Sequence, residues 1–157
     1  MTTTTEAPHL VLVDGSGYIF RAYHALPPVT RPDGTQVNAV FGFSQMLERF
    51  LREHTASHLA VVFDAARKTF RSDIYPAYKA HRPEPDPELV PQFALIREAT
   101  EAFGVAQVEQ PGFEADDLIA AYARAFTEAG GRVTIVSSDK DLMQLIRPGV
   151  VMQDPIK

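Results

Sequence analysis

Three short apolar runs set the tightest limit on how this chain folds: HLVLVD (residues 9–14), HLAVVFD (58–64) and RVTIVSSD (132–139). Val, Leu and Ile fill consecutive positions rather than alternate ones, the pattern of strands covered on both faces in a parallel sheet. VAQVEQ (105–110) and VVMQD (150–154) are weaker runs of the same kind. Between them, residues 38–54, 87–104, 114–131 and 140–147 carry helical spacing. Gly104 and the Gly130–Gly131 pair stand where a helix C-terminus favours glycine. This alternation predicts one α/β domain of three layers, a mostly parallel central sheet with helices on both faces. HALPPVTRPDGTQ (24–36) is expected to be a Pro-rich loop with a Pro-Asp-Gly turn, and HRPEPDPELVP (81–91) an extended connector.

The three strongest runs also end in an acid: Asp14, Asp64 and Asp139. In a parallel sheet all strand C-termini lie on one edge, where open α/β domains place their ligands. Glu114, Asp116 and Asp117 follow the fourth run, and Asp141 lies just beyond Asp139, so seven carboxylates are expected there. Each acid alone also fits a local role, as a turn or N-cap residue or as a partner of a helix dipole. Together they pose an electrostatic problem. Two like charges about 4 Å apart repel by roughly 4 kcal/mol at an effective dielectric near 20. Protonation or hard divalent cations with oxygen ligands relieve this, and two such ions suit phosphodiester hydrolysis.

Composition narrows the partners. The chain has 157 residues and no cysteine, which excludes a disulfide framework and a thiolate metal site. No apolar run approaches the roughly 20 residues a bilayer demands. MTTTTEAPH has neither a basic residue nor an apolar core, unlike a secretion leader. The expectation is a cytoplasmic protein with a disordered tail over residues 1–8 and a catalytic core over 9–157. A net charge of −5 argues against nucleic acid, yet RKTFRSDIYPAYKAHR (67–82) holds five of the 15 Lys and Arg residues against the single acid Asp73. Phe70, Tyr75 and Tyr78 are interleaved there, combining cations for phosphates with aromatic faces for bases. The five histidines show no ligand spacing.

Four blocks, LVLVDGSGYIFRAYHALPP, AVVFDAARKTFRSDIYPAYKAHRP, GFEADDLIAAYARAF and IVSSDKDLMQLI, resemble in order the 5′-nuclease domain at the N-terminus of bacterial DNA polymerase I. That family belongs to the flap-endonuclease group, whose core is a PIN-like α/β fold with a basic gateway segment. The resemblance implies a divalent-metal-dependent 5′-nuclease acting on DNA flaps, nicks and ends, in primer removal and repair. It implies Mg²⁺ or Mn²⁺, two ions in the complete domain. Asp14, Asp64, Glu114 and Asp116 would hold the catalytic metal directly or through water, with Asp117, Asp139 and Asp141 extending toward the second. Lys79 and Arg82 would be the gateway residues that steer the scissile phosphate, Arg71 a further phosphate contact, and Tyr78 a stacking platform for an unpaired base. It implies a monomer normally fused to a polymerase, with no membrane partner. The family's chains continue with another pair of aspartates and a Gly-rich helical motif that grips duplex DNA. This sequence ends at Lys157, before either, so the expectation is a fragment with reduced activity. A PIN-type ribonuclease and a non-catalytic Mg²⁺-dependent docking module are the competing readings, the first opposed by the long segment containing YKAHR.

Overall fold

The computed structural model describes residues 8–53, 57–64 and 87–154. The strands are β1 (His9–Asp14), β2 (His58–Val62), β3 (Ala106–Val108), β4 (Arg132–Val136) and β5 (Val150–Gln153). The α-helices are α1 (Gly15–Ala25), α2 (Asn38–Glu53), α3 (Val90–Ala102) and α4 (Ala115–Glu128), and a 3₁₀ helix spans Lys140–Leu145. All five strands pair in parallel, in the order β3-β2-β1-β4-β5. The expected α/β architecture is present, with every pairing between the five strands parallel. No helix among the described residues is long and apolar enough to cross a membrane.

Side chains on the strands sort by parity, as the two-residue repeat of a strand requires. Val11, Val13 and Val61 face a core built with Ile19 of α1, Phe43, Leu47 and Phe50 of α2, and Ile96 of α3. Leu10, Leu12, Ala60, Val62, Val133 and Ile135 face the opposite core with Ile119 and Ala123 of α4 and Leu142 of the 3₁₀ helix. Burying each of these large side chains contributes about 1.5–3 kcal/mol. The consecutive apolar runs therefore have the physical cause inferred for them: both faces of the sheet are covered.

Helix α1 is the one described helix the spacing analysis leaves out; His24 and Ala25, expected in the loop, are its last two residues. It begins directly at the end of β1, with Asp14 as N-cap. The start is so close to the sheet that a Cβ on Gly15 would lie 2.7 Å from Val61 Cγ1 and 2.8 Å from Phe63 Cε1. The expected turn is present, with Gly34 at φ +91° and its N–H donating to the Arg31 carbonyl at 2.9 Å. Residues 140–145 form a 3₁₀ helix rather than an α-helix over 140–147.

A buried amide pair joins the helices on one face. Gln92 of α3 is fully buried, and its Oε1 accepts from the backbone N–H groups of Ala39 at 2.8 Å and Val40 at 3.2 Å. These are first-turn donors of α2, so a side chain from another helix takes the place of a local cap. Gln92 Nε2 donates to Asn38 Oδ1 at 3.1 Å, and Asn38 Nδ2 donates to the carbonyls of Tyr23 at 3.0 Å and Leu26 at 3.3 Å. One network thus ties the end of α1, the start of α2 and α3. Replacing Gln92 with Leu keeps the volume and orphans two donors, the buried Ala39 N–H and the part-buried Val40 N–H. The expected cost is about 2–3 kcal/mol of unfolding free energy, read by urea denaturation. A variant as stable as the parent would show that the network carries no net energy.

Candidate metal centre

Strand order places the site. The chain runs outward from β1 to β2 to β3, then returns to the other side of β1 with β4, so the order reverses at β1. Crevices at the carboxyl ends of strands beside such a switch point are where open α/β sheets bind ligands. Asp14 ends β1, and Asp139 lies three residues past β4, the strand paired with β1. Asp116 sits in the first turn of α4, which packs over the same strands. One carboxylate oxygen from each of these three residues lies within 4.8 Å of the others.

Asp14, Asp64, Asp117 and Asp139 are fixed by hydrogen bonds, mostly from backbone N–H groups at helix starts. Asp14 is 5% exposed; its Oδ1 accepts from Gly17 N at 3.2 Å and its Oδ2 from the Ser137 hydroxyl at 2.9 Å. Gly17 has to be small, because a Cβ there would stand 2.6 Å from Asp14 Oδ2. Ser137 is 4% exposed, and its oxygen also accepts from Asp139 N at 3.0 Å, so one hydroxyl spans two of the three clustered acids. Asp139 Oδ1 in turn accepts from Asp141 N at 2.9 Å, capping the 3₁₀ helix. Asp64 lies two residues beyond β2, and its Oδ1 accepts from Ala115 N at 2.6 Å, the first residue of α4. Asp117 Oδ2 accepts from Glu114 N at 3.0 Å, and Glu114 is the buried N-cap residue of α4.

The field at Asp116 is the net result. Burial first, then the like charges of Asp14, Asp139, Glu114 and Asp64, push its carboxyl from the ordinary 3.8 up to about 7. Asp14 is also raised, by burial, while the Ser137 and Gly17 hydrogen bonds act against the shift and Asp64 and Asp139 add to it. An all-oxygen donor set with this much unrelieved negative charge fits a hard divalent cation. Beside it an open cleft of about 460 Å³ is lined by Glu114, Asp116, Asp117, Lys140, Asp141 and Gln144 among others.

The seven sequence-predicted acids therefore lie along one edge, and the structure groups them as the sequence did not. Asp139 joins Asp14 and Asp116 in the tight cluster, Asp64 and Glu114 border it, and Asp117 and Asp141 line the cleft. Arg71, Tyr78, Lys79 and Arg82 lie outside the described residues, as does the whole of the basic stretch 67–82. Ser137, Ser16 and Arg97 escape sequence reasoning. Ser16 Oγ accepts from Asp64 N at 2.9 Å and Arg97 donates to the Asp64 carbonyl at 3.1 Å. The only signal for the two serines is their place two residues from a predicted acid.

A family model described as 5′-3′ exonuclease, N-terminal resolvase-like domain, matches residues 9–157. DNA polymerase I of Rhizobium leguminosarum is 59% identical over 160 residues, covering 97% of this chain and 16% of that protein. The 5′-3′ exonuclease of Aquifex aeolicus (strain VF5) is 42% identical over 148 residues, covering 94% of this chain and 51% of that one. The chain thus spans from 16% to 51% of the length of these two relatives. Among solved structures, the T5 D15 protein co-crystallised with metal ions superposes with a TM-score of 0.69 at 22% identity, covering 92% of this chain and 54% of that one. A T5 D15 flap endonuclease in a pseudo-enzyme-product complex with DNA and metal ions gives 0.65 at 21%, over 92% and 54%. At such identities the likeness is one of fold.

The raised Asp116 carboxyl couples stability to pH. The folded ion-free protein holds this proton more tightly than the unfolded chain does. The resulting stability is complete below about 3.8 and is lost as pH rises to about 7. The shift corresponds to about 4 kcal/mol, which partial exposure of the group reduces to on the order of 1–2 kcal/mol. Asp116→Asn should flatten most of this loss, leaving the smaller one from Asp14, and should make the ion-free protein more stable at pH 8. Denaturation in EDTA at pH 5 and pH 8 reads it; equal slopes in variant and parent would remove Asp116 as the source.

Proposed function

The chain belongs to the 5′-3′ exonuclease N-terminal resolvase-like domain family, and we propose that it carries the metal-binding half of a 5′-nuclease centre acting on DNA flaps, nicks and ends. The observation that carries the reading is the cluster of Asp14, Asp116 and Asp139 at the topological switch point, with Asp116 pushed up to about 7. Both matched relatives are DNA polymerase I or 5′-3′ exonuclease by name, and one structural neighbour is bound to DNA and metal ions.

Asp14, Asp116 and Asp139 would hold the first divalent ion, Mg²⁺ or Mn²⁺, with Asp64 and Glu114 beside it directly or through water. Asp117 and Asp141, lining the cleft, would extend toward a second. When bound, such an ion supplies a hydroxide near neutral pH and offsets charge developing on the phosphate. Ser137 and the helix-start N–H groups keep the acids aimed before any ion arrives, so little reorganisation accompanies binding. Lys79 and Arg82 would neutralise and orient the scissile phosphate, Arg71 would hold a neighbouring one, and Tyr78 would stack on an unpaired base. Near pH 7 the ion-free Asp116 carboxyl would be about half-protonated and would give up its proton to a bound cation, so metal affinity should rise with pH through about 7.

Cleavage of a 5′-labelled flap duplex with Mg²⁺ or Mn²⁺, with EDTA as control, tests this directly. The expected result is cutting near the junction that EDTA abolishes and that Asp116→Ala reduces by at least ~100-fold. A parent protein that binds no Mn²⁺ would overturn the site, and one that cuts single-stranded RNA but no flap would overturn the substrate.

A further inference from the structure

Asp64 stands beyond the end of its strand, and what holds it there is specific. The β2 ladder ends at Val62, and residue 64 is reached by only one further sheet bond, Phe63 N donating to the Val108 carbonyl at 2.9 Å. Three contacts from three different elements then fix Asp64. Its N–H donates to Ser16 Oγ on α1, its Oδ1 accepts from Ala115 N on α4, and its carbonyl accepts from Arg97 Nη2 on α3. The first two act on a serine and a helix start already inside the site. Arg97 comes from outside it.

The guanidinium of Arg97 is itself held by several partners. Nε lies 3.1 Å from Glu109 Oε1, and Nη2, besides donating to the Asp64 carbonyl, lies 3.3 Å from Glu109 Oε2. Nη1 donates to the Phe93 carbonyl at 3.4 Å, and Cζ stands 4.7 Å over the ring of buried Phe63. A fork engaging a carboxylate on one side and two carbonyls on the others, flat against a ring, uses the planar geometry particular to arginine. A half-exposed ion pair to Glu109 alone would contribute little and would need none of this. Glu109 follows β3 and Phe63 follows β2, so the assembly clamps the C-terminal ends of both strands to α3.

We propose that Arg97 is a positioning residue for the metal centre, holding the backbone of Asp64 so that its carboxylate stays aimed at the head of α4 beside Asp116. The proposal rests on the reading of Asp64 as a metal-facing acid. It assigns Arg97 no contact with nucleic acid and no part in proton transfer.

A double-mutant cycle on Mn²⁺ affinity, measured by electron paramagnetic resonance on the full chain, tests it without relying on turnover. The four proteins are the parent, Asp64→Asn, Arg97→Met and the combination. Arg97→Met should raise the Mn²⁺ Kd by about tenfold, the low end of what loss of a partner to a metal-facing group costs. The combination should bind no more weakly than Asp64→Asn alone, because Arg97 acts through Asp64. Arg97→Lys, which keeps the charge and loses the fork, should fall near Arg97→Met. Glu109→Gln, a milder loosening that leaves α3 intact, should shift Kd the same way by a smaller factor, and it serves if Arg97→Met fails to fold by circular dichroism. Parent-like affinity in Arg97→Met or Glu109→Gln, or losses that multiply in the combination, would overturn the proposal. If Asp64→Asn binds Mn²⁺ like the parent, the proposal falls together with the role of Asp64. Asp116→Ala measured alongside then shows whether the rest of the centre stands.

Discussion

Mutual repulsion among Asp14, Asp116 and Asp139 is the constraint the rest of the structure answers. One oxygen from each lies within 4.8 Å of the others, a spacing at which a pair of like charges repels by roughly 3–4 kcal/mol at an effective dielectric near 20. The fold offsets this with donors already in surplus. Helices α1, α4 and the 3₁₀ helix all begin at this edge, and each start leaves N–H groups that an acid can accept from. Asp14, Asp64, Asp117 and Asp139 take those bonds. Capping and clustering are therefore not rival roles for these residues. Caps make the cluster tolerable, and the cluster leaves Asp116 to absorb the residual field.

The scaffold is arranged so that this edge cannot drift. β1 is the middle strand, paired in register with β2 on one side and β4 on the other, and both of its faces are buried. The Asn38–Gln92 network locks the three helices on one face. On the site side, Ser137 joins the end of β1 to the segment after β4 with a single hydroxyl. Stability is invested in the layers and the repulsion is confined to their rim, the division expected when a rigid scaffold carries a strained site.

Much of this was legible from residues alone, for identifiable reasons. Runs such as LVLV and AVVF announce strands because both faces are covered, and the acid after each announces the shared edge. The apolar spacing that predicts a helix over 38–54 is strong, and α2 spans Asn38–Glu53. Helix α1 escaped because Gly15 and Gly17 stand in its first turn and aromatic residues dilute its pattern, although Asp14 as cap and buried Ile19 and Ala22 mark it in retrospect. The pairing of Asp139 with Asp14 was out of reach for a different reason. It depends on β4 returning beside β1, and chain order says nothing about which strand a crossover will join. Arg97 was invisible for the same reason, since its partners come from strand ends 12 and 33 positions away.

The strand order also dictates when, during synthesis, the parts can meet. β1, β2 and β3 form one contiguous half of the sheet and can pair as soon as residue 108 has emerged. β1 then waits, one edge open along Leu10–Val13, until β4 is made more than 20 residues later. An apolar parallel strand with an unpaired edge is the kind of surface that invites wrong partners. Long-range parallel pairing is also intrinsically slow. The acids follow the same timetable: Asp14 and Asp116 precede Asp139 in the chain, so the full repulsion is felt only when the last central strand docks. The core on the α4 side and the most crowded charge cluster are thus both completed only once β4 is in place, and a cation present at that moment would ease the repulsion.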